Sequence, residues 1–95
     1  MNYRFTVDFT KNFKKEYKRV MKQGKDISKL NIVISKIASG EMLDEKYKDH
    51  KLYDNKKFKN CRECHIEPDW LLVYKIDDMQ LILLLVETGS HSELF

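Results

Sequence analysis

The chain of 95 residues has three histidines, in three separated segments: Lys48-Asp49-His50, Cys61-Arg62-Glu63-Cys64-His65-Ile66-Glu67-Pro68-Asp69-Trp70, and Thr88-Gly89-Ser90-His91-Ser92-Glu93-Leu94-Phe95. An imidazole, with an ordinary pKa of about 6.5, both gives and takes a proton near neutrality. Brought together by folding, His50, His65, His91 and Asp69 would form an acid–base site that needs no metal or other cofactor. Left apart, they would belong to a small basic binding domain. The gathered set suits RNA phosphodiester cleavage, because RNA carries its own nucleophile, the 2′-OH. The protein need only remove that proton, stabilise the extra charge on phosphorus and protonate the 5′ leaving oxygen, each positioned proton transfer contributing about 10²–10⁴-fold. A metal site is the rival reading for three histidines and a carboxylate. Lys-rich surroundings and the lack of a close H-x₃-H pair place it second.

Two aromatic residues flank this set. Trp70 follows Asp69, and Phe95 closes the chain. Aromatic faces stack unpaired bases, but a tryptophan is by default a core residue. Phe95 is harder to explain as core, so a docked tail or a ligand contact is expected of it.

Cys61-Arg62-Glu63-Cys64-His65 matches the haem-attachment pattern C-x-x-C-H, and C-x-x-C alone suggests zinc or redox work. No export signal accompanies it, and no second C-x-x-C completes a zinc site. On a strand, positions 61 and 64 point to opposite faces. Two structural thiols are therefore expected.

Net charge is +3, unevenly spread: residues 1–59 hold 16 Lys/Arg against 8 Asp/Glu, and residues 60–95 hold 2 against 7. Such asymmetry suggests a basic face able to meet a polyanion, or simply solvated helix faces. No apolar segment resembles a signal peptide, and the longest apolar run, Leu81–Val86, is too short to span a bilayer. A soluble, cytoplasmic protein without membrane contact is expected, folded as one domain over residues 1–95.

Periodicity supplies the elements. Tyr3, Phe5, Val7 and Phe9 alternate with polar residues, as in a half-buried strand. Thr10 is placed to cap a helix carrying Phe13, Tyr17, Val20 and Met21 on one face, and Gly24 to end it. Asp26 caps a second helix with Ile27, Leu30, Ile34 and Ile37 as its stripe, closed by Gly40. Residues 41–57, with His50, read as a long irregular connection. Phe58–Glu67 and Trp70–Ile76 read as strands separated by Pro68-Asp69. Asp77-Asp78 signals a hairpin turn, and Leu81–Glu87 a strand buried on both faces. The sum is an α+β domain of order β-α-α-β-β-β, a two-helix hairpin packed on a mostly antiparallel sheet.

Tyr47–His50 (YKDH), Arg62–Ile76 (RECHIEPDWLLVYKI) and Thr88–Phe95 (TGSHSELF) closely resemble the YafQ branch of the RelE-like toxins, over essentially the whole chain. The resemblance implies a toxin of a type II toxin–antitoxin module: a ribosome-dependent endoribonuclease that cuts mRNA in the ribosomal A site. It also implies a cognate antitoxin of the DinJ/RelB-like kind, joined in a heterotetramer. It places the active site on His50, His65, Asp69 and His91, with Phe95 and Trp70 beside it. Asp69, or a histidine it orients, would take the 2′-OH proton. His91 would protonate the leaving oxygen, and His50 and His65 would bind the phosphate. Many relatives carry an arginine just before the Gly-Ser-His or Gly-Thr-His motif, where this chain has Glu87. Arg62 or Lys51 is the expected substitute for that cation, and a catalytically weak homologue serving as an antitoxin- or RNA-binding module is the alternative.

Overall fold

In the computed structural model, which describes residues 3–95, Thr10 ends the first strand and starts the first helix with one side chain. Its hydroxyl accepts from the Phe13 N–H at 3.0 Å, satisfying a first-turn donor of α1 (Lys11–Lys22). Asp26 does the same for α2 (Ile27–Ala38) through Ser28. Gly24, at φ +79°, makes the left-handed step between the helices.

Five strands form one mixed sheet in the order β1-β5-β4-β3-β2: β1 (Thr6–Phe9), β2 (His50–Lys51), β3 (Arg62–Glu67), β4 (Trp70–Asp77) and β5 (Ile82–Gly89). β1 runs parallel to β5, and the other pairs are antiparallel. The expected element order holds, with three additions, the first a single 3-10 turn over Glu45–Tyr47. His50–Lys51 is a short edge strand rather than loop, and a four-residue helix α3 (His91–Leu94) follows β5.

The sheet has two different faces. α1 and α2 cover one, where Phe13, Val20, Leu30, Val33 and Ile37 meet Cys64, Ile66, Trp70, Leu72, Tyr74, Leu83 and Leu85. The other is covered by a smaller cluster of Phe58, Cys61, Leu71, Val73 and Leu94. The strand buried on both faces is β4, not β5: Trp70–Tyr74 are all buried, whereas Ile82, Leu84 and Val86 are half-buried. The strand expected over Phe58–Glu67 starts only at Arg62, because residues 57–60 turn and Asn60 sits at φ +61°. Tyr3 lies outside β1 and is exposed, and Phe9 is half-exposed on this edge strand, leaving Phe5 as the buried member of that alternating set.

Cys61 and Cys64 are free, buried and divided between the two clusters. Burial pushes both thiols above their usual pKa, which leaves them unreactive near neutrality.

Beyond Leu85, β5 has no β1 partner, and α1 supplies side chains instead. The Thr10 hydroxyl donates to Val86 O at 2.6 Å, and Glu16 Oε1 accepts from Thr88 N at 3.1 Å. Burial raises the Glu16 carboxyl from 4.5 to about 7, the Thr88 N–H opposing and nearby Glu87 adding to the shift. The folded chain thus holds a proton that the unfolded chain has lost. This contribution is present below about pH 4.5 and fades as pH rises through about 7. Glu16→Gln keeps the acceptor and removes the titration. Urea unfolding should show the variant ahead by on the order of 1 kcal/mol at pH 8 after allowance for partial exposure, with the difference shrinking towards pH 5.

Candidate active site

The second face of the sheet carries the chemistry. Alternation along β3 turns Glu63 and His65 to it. β2 adds His50 directly opposite Glu63. Directly opposed residues share a face, and the contacts agree: Glu63 Oε1 lies 3.3 Å from His65 Nε2 and 3.7 Å from His50 Nε2. Glu63 is buried, its side chain 5% exposed, against 19% for His65 and 51% for His50. Each contact becomes an ion pair when its ring is protonated.

His50 is oriented from behind. Its Nδ1 lies 2.7 Å from the carbonyl oxygen of Lys48, which is itself left-handed at φ +49°. A carbonyl only accepts, so Nδ1 must be the protonated nitrogen. A neutral His50 therefore offers Glu63 a lone pair at Nε2, and only the imidazolium donates to both partners.

His91 arrives from the other end of the domain. Gly89 ends β5 and Ser90 caps α3 with a capping box: Glu93 N donates to Ser90 Oγ at 3.2 Å, and Ser90 N to Glu93 Oε1 at 2.8 Å. A Cβ on Gly89 would sit 2.9 Å from the Arg19 guanidinium that pairs with Glu93, so a side chain there would have to displace that guanidinium. Asp69, in the β3–β4 turn, accepts from the His91 N–H at 3.0 Å. Its carboxylate thus holds the backbone of His91 and not an imidazole. The His91 ring lies 6.3 Å from the His65 ring, centroid to centroid, and 5.5 Å from Phe95, which meets Phe58 edge-on at 5.3 Å. Phe95 is docked yet half-exposed.

The structure therefore brings together His50, His65, His91, Asp69 and Phe95. It does not bring Trp70, Arg62 or Lys51 to them. Trp70 is fully buried under the helices, donating its Nε1–H to Thr88 Oγ1 at 3.0 Å, so it supports the site from below and presents no face to a base. Arg62 shares the face of Cys64, two positions on. Its Nη2 lies 3.0 Å from Asp49 Oδ2 and its Nε 3.4 Å from Oδ1, in a group completed by the Tyr74 hydroxyl. The expected Arg62 substitute for a phosphate-binding arginine is thus on the wrong side of the sheet. Lys51 alternates away from His50 and lies against the 52–60 loop.

Residues missing from the expected set are Glu63, Phe58 and Lys57. Parity with His65 places Glu63 on the site face, but its partner His50 comes from a strand too short to show a period. Beside His65, an open groove of about 380 Å³ is rimmed by Lys29, Lys46 and Lys48. Among the described residues, no three His, Cys, Asp or Glu side chains converge as metal ligands do, and no helix is long and apolar enough to cross a membrane.

Comparison with known proteins bears on the same residues. A family model described as a bacterial toxin of type II toxin–antitoxin system, YafQ, matches residues 5–95. The chain is 34% identical over 90 residues, 94% of each chain, to the mRNA interferase toxin YafQ of Escherichia coli strain B / BL21-DE3. Among solved structures it is similar to a metal-bound toxin from Helicobacter pylori, at 44% identity and a TM-score of 0.88 over 96% of this chain and 99% of that one. It is also similar to the E. coli DinJ–YafQ toxin–antitoxin complex, at 32% identity and a TM-score of 0.86 over 97% and 98%.

Proposed function

Because the chain belongs to the YafQ family of toxins of bacterial type II toxin–antitoxin systems, we propose that it is an endoribonuclease cutting mRNA in the A site of the translating ribosome, by attack of the RNA 2′-OH without a metal. The observation that carries this reading is the convergence of His50, His65 and His91 from three distant segments, with Glu63 between the first two and Asp69 fixing the third.

The spacing suits an acid and a base on either side of one phosphodiester. Two hydrogen-bond reaches of about 3 Å match the 6.3 Å between the His65 and His91 rings. His65, backed by the buried Glu63, takes the 2′-OH proton. His91, the exposed ring at the start of α3, protonates the leaving oxygen. His50, held by the Lys48 carbonyl, donates to a phosphate oxygen from Nε2 when protonated. Asp69 positions His91 through its backbone, and Phe95 offers half of its ring to a base. Glu63→Gln should slow cleavage by about 10²-fold, the size of one positioned proton transfer. His65 with a base-competent environment independent of Glu63 would show little loss.

The Lys-rich outer face of α1 (Lys11, Lys14, Lys15, Lys18 and Lys22) and the basic groove beside His65 suit sequence-independent contacts to ribosomal RNA phosphates. The ribosome would then present the substrate, which is how so small a domain could select mRNA. A cognate antitoxin would hold the toxin in a cytoplasmic heterotetramer, in line with the DinJ–YafQ complexes among its relatives. The test is induction of the chain without antitoxin, followed by mapping of mRNA ends on translating ribosomes. New ends at A-site codons, absent on co-expression of the antitoxin, are expected. Growth arrest without new ends would leave an RNA- or antitoxin-binding protein instead.

A further inference from the structure

We propose that Lys57 is the phosphate-binding cation of this site, held in place by Glu87; the inference rests on the RNA-cleavage reading. A phosphodiester gains negative charge on its non-bridging oxygens as the 2′-OH attacks, and a preorganised cation aimed there is the usual means of stabilising it. The site has two carboxylates and three imidazoles, and among the described residues neither carboxylate is paired with a lysine or arginine. Arg62 lies on the other face of the sheet, and Lys51 is turned away.

Lys57 is placed differently. Its ammonium donates to Leu94 O at 3.2 Å, within the helix that starts at His91. It lies 3.3 Å from Glu87 Oε2 and 5.0 Å from the centroid of the Phe58 ring. Phe58 then leads through Phe95 to His91 and His65. The side chain is nevertheless 56% exposed. An ammonium has three protons; with one donated to Leu94 O and Glu87 held as an ion pair without a well-aligned hydrogen bond, protons are left for a ligand.

Glu87 owes its place to a β-bulge. The β4–β5 register shifts between Val73 and Tyr74, so Glu87 faces Val73 and joins the site face instead of following Leu83 and Leu85 into the helix-side core. Its carboxylate is buried, and Oε2 accepts no well-aligned hydrogen bond among the described residues. A buried carboxylate in that condition needs a cation close by, which anchors Lys57. When the ammonium turns to a phosphate, Asn12 Nδ2, 3.4 Å from Oε1, remains as donor.

The test compares Lys57→Met and Lys57→Arg with the unaltered chain on programmed ribosomes, together with salt-dependent binding of a 2′-deoxy-substituted RNA oligonucleotide. Thermal melts confirm that both variants fold. Lys57→Met should lower the rate at saturating ribosome at least about tenfold, and flatten the plot of log affinity against log salt by about one unit, as for one lost phosphate contact. Lys57→Arg should restore most of both. Wild-type cleavage and slope in Lys57→Met would overturn the proposal while leaving the RNA-cleavage reading intact, as would an equal loss in Lys57→Arg. If the unaltered chain cuts nothing, the cleavage reading fails, and the oligonucleotide slopes still decide whether Lys57 contacts phosphate.

Discussion

His91→Ala should lower mRNA cleavage on ribosomes by about 10²–10⁴-fold, the range for loss of one positioned proton transfer, and leave the fold standing. Both halves follow from how His91 is held. Its ring is exposed and, among the described residues, makes no hydrogen bond, with the Phe95 and His65 rings at 5.5 and 6.3 Å. Everything that fixes its position is backbone: the N–H to Asp69, the carbonyl accepting from Phe95 N at 2.8 Å, and the Ser90–Glu93 capping box before and after it. Alanine keeps all of these. Stability should therefore stay within about 0.5 kcal/mol of wild type, as for exposed positions generally, when measured by urea unfolding. A folded His91→Ala protein that cuts at the normal rate would remove His91 from the proton-transfer set.

Trp70→Ala should act in the opposite way, through the fold. The indole is fully buried among the helix-facing side chains, with Lys25 Nζ 5.7 Å from the ring centroid. It donates to Thr88 Oγ1, which in turn donates to Leu71 O at 2.7 Å, so the ring ties β4 to the end of β5 that leads to His91. Truncating a buried tryptophan costs about 3–5 kcal/mol, a large part of the roughly 5–15 kcal/mol that holds a domain folded. A fall of about 12 °C or more in melting temperature follows for a chain of this size. Activity should be lost with the folded fraction. A base-stacking Trp70 would show the reverse, a normal melt with weakened RNA binding.

Much of this was legible in the sequence because periodicity reports burial. The helices and their caps, the Pro68-Asp69 and Asp77-Asp78 turns, and the division of Cys61 from Cys64 follow from periods of 3.6 and 2 and from turn chemistry. Asp77, for example, accepts from both Met79 N and Gln80 N. The parity that separates the two thiols also places Arg62 on the face of Cys64 and away from His65, so its exclusion from the site was readable in the same residues. Other features have no periodic signal. A two-residue strand such as His50–Lys51 shows no alternation, and a bulge adds one residue without altering the apolar pattern. Glu87 therefore changes face unannounced. The contacts of Lys57 depend on where a turn deposits it, and Glu63 acquires its role only when His50 is laid opposite.

The central claim is that imidazoles and carboxylates of this chain drive RNA's own 2′-OH against phosphorus. The chemistry of the cut ends tests it most directly. Messenger RNA recovered from translating ribosomes after exposure to the purified toxin should carry a 2′,3′-cyclic phosphate, or the phosphate formed from it, on the upstream fragment and a 5′-hydroxyl on the downstream one. A 3′-hydroxyl with a 5′-phosphate would mean that water was the nucleophile, and would contradict the roles assigned to His65 and His91.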